Sequence, residues 1–135
     1  MMYLMCCIHQ KDIARHFCTA MTDLRIPVYT QEIEDVSLPY MHIGFEAMKP
    51  VFRGKGCHSL ECVLFAAQYS EALVLNVNHI FYDLAQSLVC LEHRTDLHTW
   101  KSKNMLRFIK HTVKETKHHT TVTWGVEVST QWISS

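Results

Sequence analysis

Thr121-Val122-Thr123-Trp124-Gly125-Val126-Glu127-Val128 alternates apolar residues with small or polar ones, step by step. A period of two is that of a β-strand, and it puts Val122, Trp124, Val126 and Val128 on one side. Trp132 keeps the same parity four residues later. Upstream, a turn near residues 117–119 separates this strand from another expected over about 100–112. There Leu106 and Phe108 share a parity, while Met105, Ile109 and Val113 blur it. The last third of the chain therefore reads as a hairpin with one apolar face.

Further upstream the period changes to that of a helix. Leu73, Val77, Ile80, Leu84, Leu88 and Leu91 form a stripe at three- and four-residue steps, with Phe81 beside it. Ser70 is placed to cap this helix, and Glu71 sits where the positive end of the helix dipole favours an acid. Before it, residues 58–68 are apolar on both parities, as a strand covered on both faces would be. Met41, Ile43 and Phe45 alternate with Tyr40, His42 and Gly44, which predicts a strand with one buried face. Between these strands, residues 49–56 contain Pro50, Gly54 and Gly56 with Lys49, Arg53 and Lys55, the composition of a loop or hairpin tip. Near the start, Ile13, Phe17, Ala20 or Met21, and Leu24 predict a first helix. It should stop near Arg25, because Pro27 disfavours helical geometry at Ile26. Residues 27–38 are a connector in which Val28 and Tyr29 either form a short strand or lean on the core.

The order α-β-β-α-β-β predicts an α+β fold: a single domain over residues 1–135, with an antiparallel or mixed four-stranded sheet and two helices packed on one face. Length agrees, since 135 residues and 15.8 kDa suit one domain. With 48% hydrophobic and 19% charged residues, the chain is neither disordered nor dependent on metals or disulfides for a core.

Thirteen basic and thirteen acidic side chains cancel overall, but not locally. Lys101, Lys103, Arg107, Lys110, Lys114 and Lys117 share residues 101–119 with one acid, Glu115, a local charge of +5 that leaves −5 elsewhere. Glu32, Glu34 and Asp35 cluster in the connector. Such segregation suits complementary surfaces for another copy of the chain, a basic strip for nucleic acid, or a solvated hairpin. The six cysteines include no C-x-x-C pair. The apolar run over residues 1–8 lacks a basic leader and is short for a signal peptide, so free thiols in a reducing compartment are expected. No apolar run approaches the roughly 20 residues of a membrane span, and a soluble intracellular protein is expected.

Catalytic signatures are sparse. Cys57, His58, Glu61 and Cys62 offer metal-binding atoms, but a strand points positions 57 and 62 to opposite faces and no second cluster completes four ligands. The deaminase signature is absent, and no nucleophile motif accompanies any cysteine. Gly54-Lys55-Gly56 lacks the rest of a phosphate loop. His118 and His119 fall at a predicted turn. Trp100, Trp124 and Trp132 could stack on bases, but the shared parity of the last two favours packing. No catalytic residue, metal or cofactor is predicted.

Ile26-Pro27-Val28-Tyr29, the acidic connector, and Leu38-Pro39-Tyr40-Met41-His42-Ile43-Gly44 precede the strand that leads through Ser70 into the long helix. This layout, over residues 12–129, resembles the small tail-completion proteins of long-tailed bacteriophages and related gene-transfer particles, the tail-terminator or head–tail joining group. In that group a proline–tyrosine strand ending in glycine follows a valine–tyrosine connector, and a serine opens the long helix. The resemblance implies a non-enzymatic ring component, commonly a hexamer, that caps the tail tube, stops its growth and docks the head connector. The implied partners are the chain itself, the tube protein and the head-completion protein, in the virion tail or neck after assembly in the host cytoplasm. Closing a ring needs two different complementary patches on each subunit. Glu32, Glu34 and Asp35 on one side, and Lys101, Lys103, Arg107 and Lys110 on the other, are the candidates. Lys49, Arg53 and Lys55 would reach the channel or an axial partner, where contact with passing DNA would be to phosphate and unselective. A basic nucleic-acid-binding module is the alternative, and a small thiol enzyme a third class.

Overall fold

Among the described residues seven strands pair into one mixed sheet in the order β1-β2-β4-β7-β6-β5, with β3 pairing the beginning of β4. The structure is a computed structural model and describes residues 10–45, 49–51, 55–87 and 92–134. In chain order the elements are α1 (Gln10–Thr22), β1 (Val28–Tyr29), β2 (Tyr40–Phe45), β3 (Lys49–Val51), β4 (Lys55–Ala66), α2 (Glu71–Ser87), β5 (Glu92–Arg94), β6 (Thr99–Glu115) and β7 (Thr120–Ser134). Among the described residues only β1 and β2 run parallel, and every other pair is antiparallel. The α+β class and mixed sheet agree with the sequence reading. The four-stranded sheet and the simple α-β-β-α-β-β order do not. Of the additional strands, β1 is the short-strand alternative read for Val28 and Tyr29, while β3 and β5, three residues each, are too short to register any period.

Alternation on β7 puts Val122, Trp124, Val126 and Val128 in the core, all 2% exposed or less. Across the sheet they align with Leu64, Cys62 and Leu60 on β4, and beyond these with Met41 and Ile43 on β2. Both helices cover this face. α1 contributes Ile13, Phe17 and Met21, and α2 contributes Val74, Val77, Ile80, Phe81 and Leu84, to one continuous core. Phe81 is its hub, with ring centroids 4.8 Å from Phe17, 5.5 Å from Phe108 and 5.9 Å from Trp124. The indole N–H of Trp124 donates to Asn78 Oδ1 on α2 at 2.8 Å, so the largest buried side chain keeps its polar atom satisfied. Truncating such an aromatic typically costs about 3–5 kcal/mol.

The helix boundaries follow local chemistry. Leu73 N–H donates to Ser70 Oγ at 3.2 Å, the expected cap of α2. Leu88 and Leu91, the end of the predicted stripe, lie outside the described residues. α1 closes where Arg25 enters the left-handed region at φ 57°. Ile26 N–H then reaches Met21 C=O at 3.1 Å, and Arg25 N–H reaches Thr22 C=O at 2.9 Å. That pair of bonds is a Schellman motif, sealed by the buried contact pair Met21 and Ile26.

Among the described residues the helices cover one side alone, which corrects the reading of residues 58–68. Leu60, Cys62 and Leu64 are buried under the helices, whereas Val63 and Phe65 are half-buried on the other face. Among the described residues no helix is long and apolar enough to cross a membrane.

Candidate interaction surface

Among the described residues no helix covers the sheet face away from α1 and α2, and the register shows what lies on it. On β6, Leu106 and Phe108 pair with Val128 and Val126 on the helix side, so Lys101, Lys103, Met105 and Arg107 take the open side. A β-bulge at Ile109 then breaks the alternation: Phe108 pairs with Val126 and Lys110 with Gly125. Beyond it, Lys110, Thr112 and Lys114 are open-side, while His111 turns to the helix side with its ring 5.6 Å from Trp124. The bulge thus carries the basic row past a point where strict alternation would have sent Lys110 and Lys114 inward. It also explains the parity of Val113, which pairs with Val122 on the helix side.

Five of the six cations of this segment, Lys101, Lys103, Arg107, Lys110 and Lys114, therefore form one exposed row along a single strand. Two of them meet acids of the same face: Arg107 lies 3.1 Å from Glu127 on β7, and Lys110 lies 3.9 Å from Glu61 on β4. These pairs are solvated and each is worth about 0–1 kcal/mol. Lys103 and Lys114 make no ion pair among the described residues. Lys117 stands in the β6–β7 turn, where Thr116 N–H donates to His119 C=O at 2.9 Å; His118 and His119 fall in the same turn, as expected. On β5, the Arg94 guanidinium donates to Glu92 and holds its carboxyl below the usual range, with Lys101 acting in the same direction.

The acidic connector borders the same face at its far margin. Glu32, Glu34 and Asp35 are exposed and make no ion pair among the described residues. Between β2 and β6 lie three strand spacings, about 14 Å at roughly 4.8 Å each, so the acids and the basic row stand apart within one chain. Beside the connector, Tyr29, Tyr40, His42 and Phe65, together with Gln31, Glu32, Ile33 and Glu34 of the connector itself, line an open groove of about 410 Å³. Tyr40 stacks on its cross-strand neighbour Phe65 with centroids 4.7 Å apart and planes 20° from parallel. Tyr29 meets Tyr40 edge-on at 6.1 Å.

Sequence reasoning missed this groove. Tyr29 was expected on a short strand or against the core, and Phe65 in a strand buried on both faces. The pairing of β1 with β2 and the register Tyr40↔Phe65 bring the rings together. The third candidate group is partly placed: β3 pairs β4 through Val51↔Lys55 and Lys49↔Cys57, a hairpin, while Arg53 lies outside the described residues. Cys62 faces the core, and burial, reinforced by the charge of Glu61, pushes its thiol far above the ordinary value. Cys18 is exposed on α1. Among the described residues no three His, Cys, Asp or Glu side chains gather as a metal site.

No protein-family model matches the chain, and no curated protein matches it.

Proposed function

We propose that this chain is a structural ring subunit of the tail-completion type, capping a phage-like tail tube and joining it to the head connector. The observation that carries this reading is the placement of charge. An acidic connector with no ion pair among the described residues and a basic row flank one sheet face that no described helix covers, too far apart to neutralise each other within a chain. A heterologous, self-closing contact uses two such unlike patches, the acidic margin of one copy meeting the basic row of the next. Lys101, Lys103, Arg107 and Lys110 form one half of that contact, with Lys114 extending it, and Glu32, Glu34 and Asp35 the other. The segment 49–55, with Lys49, Arg53 and Lys55, serves the channel or an axial partner, with a hexamer as the ring, and DNA passes without being read.

The test is imaging and mass measurement of the protein with its tube subunit. Rings at tube ends are expected for the wild type. Reversing all three acids (Glu32→Lys, Glu34→Lys, Asp35→Lys) should abolish them at low salt, because like charges then face each other. Rings unchanged in the triple variant would refute the reading.

One observation favours a second reading, a nucleic-acid-binding module: five cations share one strand face over about 43 Å, at roughly 3.3 Å per residue. That module would be monomeric and would bind random duplex DNA with an affinity falling steeply as salt rises.

A further inference from the structure

We propose that the groove lined by Tyr29, Tyr40, His42 and Phe65 receives a lysine or arginine side chain from the basic row of a second copy of this chain. The inference deepens the ring reading and rests on it for the identity of the occupant. Three observations carry it. Tyr40 is stacked and Tyr29 set edge-on to it beside an open volume of about 410 Å³, within the roughly 300–1,000 Å³ range of ligand pockets. Glu32 and Glu34 line the same volume, so the groove joins aromatic rings to carboxylates, the combination that attracts a cation out of water. The chain's own row lies on β6, with β4 and β7 between it and β2, whereas a second copy's row is unconstrained. Charge complementarity therefore selects an intermolecular occupant, and the exposed Lys103 and Lys114 are cations with no acid of their own among the described residues.

The groove can be examined without assembly. A fluorescent peptide copying residues 99–116 is titrated into the full chain, and into two variants: Tyr40→Ala, and the double substitution Glu32→Gln with Glu34→Gln. The second changes only exposed connector residues, so it reports even if loss of the Tyr40 ring loosens the strand. Wild-type protein is expected to bind the peptide, and each variant to bind it about tenfold more weakly or worse. A copy of the peptide with its lysines and arginine replaced by glutamine is expected not to bind. Equal affinity for wild type and the double variant, or no binding by wild type, overturns the inference. Peptide capture by a chain that never forms rings keeps the groove as a site for basic side chains and removes the ring. Rings whose mass is indifferent to both variants keep the ring and remove the groove.

Discussion

Gly125 stands opposite two residues at once, because the bulge on β6 sets both Ile109 and Lys110 against it. A Cβ built there would lie 2.9 Å from Lys110 Cβ and 3.3 Å from Ile109 Cγ1. The first is a backbone-anchored carbon that cannot swing away. Gly125→Ala should destabilise by about 1–3 kcal/mol, the cost of overpacking. At Gly44 the nearest atoms are 3.8 Å away, an ordinary contact, so Gly44→Ala should be close to neutral. Denaturant midpoints of the two variants compare them directly, and equal losses would contradict this account of the bulge. Cys62 supplies a second residue-scale expectation. Its thiol ionises near 9.0 in the unfolded chain but far higher when buried. Its contribution to stability is therefore complete below pH 9 and lost above it, by at most about 1.4 kcal/mol per pH unit. At pH 8 Cys18 should alkylate in native protein and Cys62 only on unfolding; mass-mapped labelling of Cys62 in the native state would contradict its burial.

At the scale of elements, the bulge decides which face the second half of β6 presents. Removing Ile109 would let Phe108, Lys110 and His111 pair with Val126, Gly125 and Trp124 in unbroken register, with the faces preserved. Deletion of Ile109 should therefore leave the fold intact. It should also shrink the penalty of Gly125→Ala in a double-mutant cycle, with a coupling of about 0.5–3 kcal/mol. Additive effects would show that the bulge does not impose the glycine. This element also marks where the sequence was legible and where it was not. β7 and α2 declare themselves because Val122 to Val128 and Leu73 to Leu84 repeat over many residues with one period. Ile109 and Val113 blurred β6 because one inserted residue changes the parity of everything after it, while Met105, ahead of the bulge, is an apolar residue on the open face. β1, β3 and β5 are held by their neighbours' hydrogen bonds and carry too few residues to show a pattern.

For the molecule as a whole, the charge segregation was readable in the sequence, but its geometry was not. Composition gave a +5 segment and an acidic connector. That five cations share one face depends on the bulge, and that the acids border the same face depends on β1 pairing with β2. The Tyr29, Tyr40 and Phe65 groove was illegible for the same reason, since it exists only through cross-strand register. Loop residues such as Glu32 and Asp35 show in sequence their charge and nothing of their neighbours. The proposed head-to-tail contact predicts a reciprocal behaviour that no single-site interaction shares. One variant carries lysine at positions 32, 34 and 35, and the other carries glutamate at 101, 103, 107 and 110. Each alone should remain monomeric at low salt, because its two margins then bear like charge. Mixed in equal amounts they should alternate around a ring and recover the wild-type mass by light scattering, provided the copy number is even, as in a hexamer. Wild-type mass in either variant alone, or a mixture that stays monomeric while the wild type forms rings, would contradict the account.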